Sequence, residues 1–313
     1  MPPPSDIYRF FMKFDLSHCR MCPRKCGADR YDSRGACGEG AEMRVARTML
    51  HKWEEPCISG TDPERGSGAV FFTGCPLKCV FCQNKAISRG GEGEVYSPRR
   101  LAEEMQRLEQ AGAYNINFVS PTHFTSQIIE AMDIYRPRVP AVFNTGGYEL
   151  ASTVEALEGY ADIFLTDFKY GDDAYAAGLS ACGDYVTYAA EALKAMVRVA
   201  GKPRLSEDGM MRGGVIVRHL VLPGGRHDSV IALRRVADAV GSENVILSLM
   251  SQYTPEFAPE SMKSLRRKVT TFEYESVRSA ALEMGFQGYC QDASSAKSCY
   301  TPDFSQNGRV KEK

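Results

Sequence analysis

From residue 69 onward the chain alternates between short apolar runs and amphipathic helical patterns. The runs at 69–72, 116–119, 141–143, 162–165, 215–221 and 244–249 are almost continuously apolar and rich in β-branched or aromatic residues. A strand covered on both faces reads this way. Between them, Ser97-Pro98 supplies an N-cap and a first-turn proline to a helix with Leu101, Met105 and Leu108 on one face and Gly112 as its stop. Asp228 is placed to cap a helix carrying Leu233, Val236, Ala237 and Val240 and closed by Gly241; a last helix carries Tyr274, Val277, Ala281 and Met284, then Gly285. Six such alternations predict an α/β fold with a parallel sheet, either open and doubly wound or closed toward a barrel, and the spacing does not choose. In both, ligands gather at the carboxyl ends of strands. The unusual residues sit there: Gly74-Cys75, Ser120-Pro121-Thr122-His123, Asn144-Thr145-Gly146-Gly147-Tyr148, Asp167-Phe168-Lys169, Arg218-His219 and Gln252-Tyr253. Residues 201–214 read as a loop, and the polar stretch from Thr301 as a frayed tail.

A length of 313 residues suits two domains, or one α/β barrel of ~250 residues with an extension. Hydrophobic residues at 43% and charged residues at 25% are those of a soluble globular protein. A formal net charge of −1 gives no support for bulk electrostatic binding to nucleic acid or to an anionic membrane. No apolar run approaches the ~18 residues of a membrane span. The opening MPPPSDIYRFFMKF lacks a basic region followed by an apolar stretch, so no secretory signal is expected and a cytoplasmic location is.

Cysteine usage is uneven. Eight of the 11 cysteines fall within the first 82 residues, and in a reducing compartment closely spaced free thiols bind metals. Directly after the first strand, Cys75, Cys79 and Cys82 form a C-x3-C-x2-C run. Three thiolates so spaced can wrap one face of a cubane cluster and leave one iron open to an exogenous ligand, a catalytic arrangement by analogy with the open position of catalytic zinc.

This run, with Phe81 as the aromatic of C-x-aromatic-C, resembles the cluster motif of the radical SAM superfamily. The segments His51-Lys52-Trp53-Glu54-Glu55-Pro56-Cys57-Ile58-Ser59-Gly60, Cys82-Gln83-Asn84, Pro121-Thr122-His123, Arg218-His219-Leu220-Val221-Leu222-Pro223-Gly224 and Met250-Ser251-Gln252-Tyr253 look like its predicted pyruvate formate-lyase-activating enzyme (PflX-like) subgroup. The likeness covers most of residues 19–290. It implies an incomplete (β/α)6 TIM-like barrel over 61–290, with a cysteine-rich metal-binding extension over 1–60 and a tail over 291–313. It also implies a 4Fe-4S cluster on Cys75, Cys79 and Cys82, with S-adenosylmethionine chelated by the open iron and cleaved reductively to a 5′-deoxyadenosyl radical that abstracts hydrogen. The expected partners are a glycyl radical enzyme as protein substrate and a reductant such as flavodoxin or ferredoxin. Where many superfamily members have a Gly-Gly-Glu-Pro run for the amino group of S-adenosylmethionine, this chain has Ser120-Pro121-Thr122-His123, so Thr122 or His123 is expected to serve. Asn144, Asp167, Lys169 and Arg218 are candidate contacts to ribose, carboxylate or a bound cation, Arg218 by a bidentate pair.

A second group, Cys19-x2-Cys22-x3-Cys26-x10-Cys37, suits tetrahedral zinc or an auxiliary iron–sulfur cluster, with His18 as a substitute ligand. Only its first pair has the C-x2-C form of a zinc knuckle. Cys57 reads as a packed thiol or a relay at the site, Cys182, Cys290 and Cys299 as structural, and Trp53-Glu54-Glu55 as part of a lid. Two alternatives stand beside activation of a glycyl radical enzyme. One is radical modification of a small molecule or another protein. The other is an iron–sulfur or zinc electron-transfer or binding module without S-adenosylmethionine chemistry.

Overall fold

The structure is a computed structural model that describes residues 14–89 and 93–291. Cys299 and the tail expected from Thr301 lie outside the described residues. Its strands, among the described residues, are β1 (Met43–His51), β2 (Gly66–Phe72), β3 (Glu94–Tyr96), β4 (Ala113–Val119), β5 (Ala141–Thr145), β6 (Ile163–Asp167), β7 (Arg204–Leu205), β8 (Met211–Leu220), β9 (Ile246–Met250) and β10 (Gly288–Cys290). The sheet order is β10-β9-β8-β6-β5-β4-β2-β1-β3. Every neighbouring pair from β2 to β10 is parallel, so the α/β class with a mostly parallel sheet stands. Two features go beyond the six alternations. The short β10 adds a seventh parallel strand, and β1 and β3 extend the other edge antiparallel. Since β1 pairs with β2, the extension expected over residues 1–60 shares its sheet with the 61–290 unit.

The period-two alternation of side chains sorts the strands into two layers. Val70, Phe72, Phe118, Phe143, Phe164, Val215 and Val217 face the helices. Phe72–Phe118, Phe118–Phe143 and Phe143–Phe164 lie with ring centroids 6.4, 5.2 and 6.2 Å apart, a ladder across four strands. Such pairs add about 0.5–1.5 kcal/mol each beyond their buried area. The opposite face is closed from below by the short helix Pro56–Ser59, whose Cys57 and Ile58 pack on Val142, Ile163, Leu165 and Ile216. Cys57 is thus a packed thiol.

The helix Pro98–Gln110 starts as its sequence predicts, with Ser97 accepting from the Arg100 N–H and Leu101, Met105 and Leu108 buried. Asp228 does not cap. The helix Arg226–Val240 begins earlier, at Gly225, because Asp228 Oδ1 is occupied by the Gly171 N–H at 3.0 Å. Residues 201–214 are not a plain loop either: β7 turns back antiparallel on a β8 that starts at Met211. Among the described residues no helix is long and apolar enough to cross a membrane.

Candidate active site

A cavity of about 480 Å³ opens at the carboxyl ends of the parallel strands, and every one of the seven contributes to its wall. Phe71 comes from β2, Val119 from β4, Asn144 and Thr145 from β5, Asp167 from β6, Arg218 and Leu220 from β8, Ser248 and Met250 from β9, and Tyr289 from β10. The sheet therefore curls around this space.

Cys75, Cys79 and Cys82 all line it. The loop that carries them is held at several points. Gly74 has φ +78°, and a Cβ there would meet Glu39 Cγ at 2.5 Å and the Cys37 carbonyl at 3.0 Å, so only glycine fits. The Lys78 and Val80 N–H groups donate to the Ser180 and Leu179 carbonyls at 3.1 and 2.9 Å. The Ser180 hydroxyl donates to Cys79 Sγ at 2.9 Å, and Cys82 Sγ lies 3.4 Å from Ser88 Oγ. Burial pushes the Cys75 and Cys79 thiols up, and the neighbouring sulfurs add to the shift at Cys75. Thiols so placed ionise only against a positive charge, and Lys169, close to Cys79, already pairs with Asp167. Burial opposes the Lys169 charge, but Asp167 and then Cys79 outweigh it and hold its pKa high. Three half-buried cysteines around one cavity, with Lys169 already paired to Asp167, are the donor set that a metal–sulfur cluster requires.

The floor is built differently. The chain crosses beneath the sheet at 53–59 and sends Glu54 and Glu55 upward. Arg218 grips Glu55 with Nε and Nη2 at 2.8 and 2.7 Å and also pairs with Glu54. The Asn117 and Asn144 amides donate to Glu54 Oε1 at 3.2 and 3.4 Å. Burial alone would raise the Glu55 carboxyl, but the Arg218 charge prevails and holds it below its ordinary value. Arg218, raised well above its own usual range, stays charged.

These placements sort the sequence-predicted residues. Cys75, Cys79, Cys82, Phe81, Asn144, Asp167, Lys169 and Arg218 line the one cavity. Arg218, expected to offer its fork to a ligand, is instead taken by two carboxylates of the chain. Thr122 and His123 lie behind the wall. The Thr122 hydroxyl donates to Glu149 Oε1 at 2.8 Å, and His123 Nε2 donates to the Thr73 carbonyl at 2.6 Å. Burial, with the Arg30 charge beside it, lowers the His123 pKa to about 3, so the ring is neutral. Ser120 faces the cavity in their place, in a left-handed conformation with φ 57°. Non-glycine residues so strained concentrate at functional sites. Glu54 and Glu55 form a floor rather than a lid; Trp53 lines the cavity and is 62% exposed.

Two residues beyond the sequence reading shape the site. Tyr185 sits under the strand ends, its hydroxyl accepting from the Lys169 N–H at 2.9 Å and donating to the Gly146 carbonyl at 3.0 Å. Glu149 is buried, and its carboxyl is pushed up to about 8 by desolvation against a smaller opposing pull from Thr122. Neither lies in a local pattern. The adjacent acids before Pro56-Cys57-Ile58 were the one visible sign of the floor.

The four N-terminal cysteines form a loop unit beside the Cys75 loop. Cys19, Cys22 and Cys37 are buried and Cys26 is exposed. Among the described residues, no three His, Cys, Asp or Glu side chains surround a point that a single metal ion could occupy.

Residues 69–224 match the model of the radical SAM superfamily. Uncharacterized protein MJ0674 of Methanocaldococcus jannaschii is 27% identical to this chain over 271 residues, which covers 83% of this chain and 73% of that protein. Streptococcus suis SuiB, solved bound to precursor peptide SuiA, is 12% identical, with a TM-score of 0.46 over 71% of this chain. The match spans 48% of that chain, so this protein corresponds to about half its length. The matched residues 69–224 include the whole Cys75–Cys82 loop and the strand ends as far as Gly224, and the chain carries a radical SAM superfamily domain.

Proposed function

We propose that this protein is a radical SAM oxidoreductase in which Cys75, Cys79 and Cys82 hold a 4Fe-4S cluster at the mouth of an incomplete barrel. The observation that carries the reading is the convergence of these three sulfurs with the carboxyl ends of seven parallel strands on one cavity. Bound there, cluster and S-adenosylmethionine supply reductive cleavage to methionine and a 5′-deoxyadenosyl radical for hydrogen abstraction. The chain's own residues orient and shield. Ser180 fixes the Cys79 sulfur through its hydroxyl, and Tyr170, 2.5 Å from Ser180 Oγ, holds that hydroxyl in turn. Phe71, Leu77, Phe81, Val119, Leu222 and Met250 give the cavity apolar walls that keep water from a reactive intermediate. Asn144, Asp167 and Lys169 are the polar groups placed to orient the nucleotide or the substrate. Thr122 and His123 act behind the wall, by fixing Glu149 and Thr73.

The finer reading, activation of a glycyl radical enzyme in the cytoplasm with electrons from a flavodoxin or ferredoxin, rests on the resemblance of five separated segments. Some of these meet in space: Gln83 donates to the Gln252 carbonyl and to Thr254, and Arg218 grips Glu54 and Glu55. A glycyl doublet in electron paramagnetic resonance after mixing with a candidate partner would support that role.

The test of the main reading is anaerobic. The protein is reconstituted with iron and sulfide, reduced with dithionite and given S-adenosylmethionine, and 5′-deoxyadenosine is counted by mass spectrometry. Wild type is expected to make it and Cys79→Ala to make none. Equal product from both proteins, or none from a wild type with an intact reduced cluster, would overturn the proposal.

A further inference from the structure

The radical SAM reading leaves Cys19, Cys22, Cys26 and Cys37 without a task. Their backbone is not that of ordinary buried thiols. The loop closes on itself through Cys19 N–H to the Ala28 carbonyl and Gly27 N–H to the Cys19 carbonyl, both 3.0 Å. It turns sharply at Lys25, which has φ 40°. Two of the sulfurs converge on Gly35, where a Cβ would stand 3.4 Å from Cys37 Sγ and 3.5 Å from Cys26 Sγ.

Charge gives an independent sign. Arg30 is 1% exposed, and its guanidinium bonds to the Gly40 carbonyl at 3.0 and 2.5 Å and to the His123 carbonyl at 2.6 Å. No carboxylate pairs with it among the described residues, and it lies within electrostatic range of Cys26 and Cys37, as the buried Glu39 does of Cys37. A buried cation needs negative charge beside it. A metal core bound by four thiolates supplies that charge, and four neutral thiols do not.

We propose that Cys19, Cys22, Cys26 and Cys37 bind a second iron–sulfur cluster, seated against the loop that carries Cys75. The absence of a single-ion point applies equally to the Cys75 trio and to this group. A polynuclear core needs no such point, because each sulfur bonds a different iron. The seam is direct. The Cys75 N–H donates to the Cys37 carbonyl at 3.0 Å, and Arg24, from the same cysteine loop, donates to the Pro76 and Ala181 carbonyls at 2.9 and 2.6 Å.

The proposal stands apart from the function of the first site, and its test does not use activity. Iron, acid-labile sulfide and zinc are counted in the anaerobically reconstituted full chain, in Cys75→Ala/Cys79→Ala/Cys82→Ala and in Cys22→Ala/Cys37→Ala. The wild type is expected to hold about twice the iron and sulfide of a single 4Fe-4S protein. The triple variant should keep about half, with the visible absorption of a cluster, and the double variant the other half. Reduced wild type should give a paramagnetic resonance spectrum broader than the sum of the two variants, since the two loops touch. A wild type with one cluster, lost entirely in the triple variant, overturns the proposal. So does zinc, or iron without sulfide, in the triple variant. The wild-type count decides even where a variant fails to fold.

Discussion

The mouth and the floor of the cavity handle charge in opposite ways. At the mouth, three half-buried cysteines face a space in which Lys169 is already claimed by Asp167. They are arranged for a group that brings its own positive charge. At the floor, Arg218 binds both Glu54 and Glu55, with side chains 15, 7 and 5% exposed. The floor is complete without a ligand, and the mouth is not. The difference teaches that polar residues lining one cavity need not share one role. Arg218 looks from the sequence like a ligand contact and is in the structure a clamp on the segment that plugs the sheet.

The strongest way to break this comparison is to remove the clamp. Arg218→Met leaves two carboxylates buried without a counter-charge, and taking one partner from a buried ion pair costs about 3–5 kcal/mol. Urea unfolding at neutral pH should register a loss of that size. Adding Glu54→Gln and Glu55→Gln to the variant should restore most of it, because the stranded charges are gone. A loss below about 1 kcal/mol in the single variant would mean that the floor is open to water and does not hold the plug. The sign with pH follows from Glu55. Its folded pKa is depressed, so its contribution is present above the ordinary carboxylate range and disappears as pH falls through it.

Gly74→Ala probes the seam between mouth and extension. At φ +78° a side chain is strained, and here it also strikes Glu39 and the Cys37 carbonyl. A cost of about 1–3 kcal/mol is expected from the conformation. Hydrogen exchange should quicken at the Cys75 N–H, which bonds to that same carbonyl, before it quickens in β4 or β5. Uniform exchange across all three would show that the extension and the sheet open as one unit.

How much was legible follows the same division. The mouth could be read because its chemistry is local: three cysteines in eight residues, after a run whose neighbours repeat the strand–helix pattern. The capped helix at Pro98–Gln110 and the strand-end positions of Asn144 and Asp167 were readable for the same reason. The floor joins residues 164 positions apart in sequence, Glu54 and Arg218, and depends on a chain crossing that no periodicity encodes. Thr122 and His123 stood at the right strand end but turned inward, since Arg30 and Thr73 hold His123 from behind. Asp228 failed as a cap because a loop from another strand end reached it first.

The most gradual effect concerns that hidden layer, where Glu149 bonds to Thr122 beside His123 and the two titratable groups have opposite pH signatures. The His123 pKa is lowered to about 3 from an ordinary 6.5, so the unfolded chain takes up the proton first and stability is lost as pH falls from 6.5. The Glu149 carboxyl is raised to about 8 from an ordinary 4.5, so its contribution is complete below 4.5 and is lost as pH rises toward 8. Between about 4.5 and 6.5 the two slopes oppose; above 6.5 only the Glu149 slope is left. Glu149→Gln keeps the shape and stays neutral at every pH. Its stability relative to wild type should therefore grow with pH, by up to about 1.4 kcal/mol per unit, and level off above 8. Paired urea titrations at pH 5.5, 6.5, 7.5 and 8.5 measure the difference directly. If it stays flat, Glu149 is ionised throughout, and water reaches the layer behind the cavity wall.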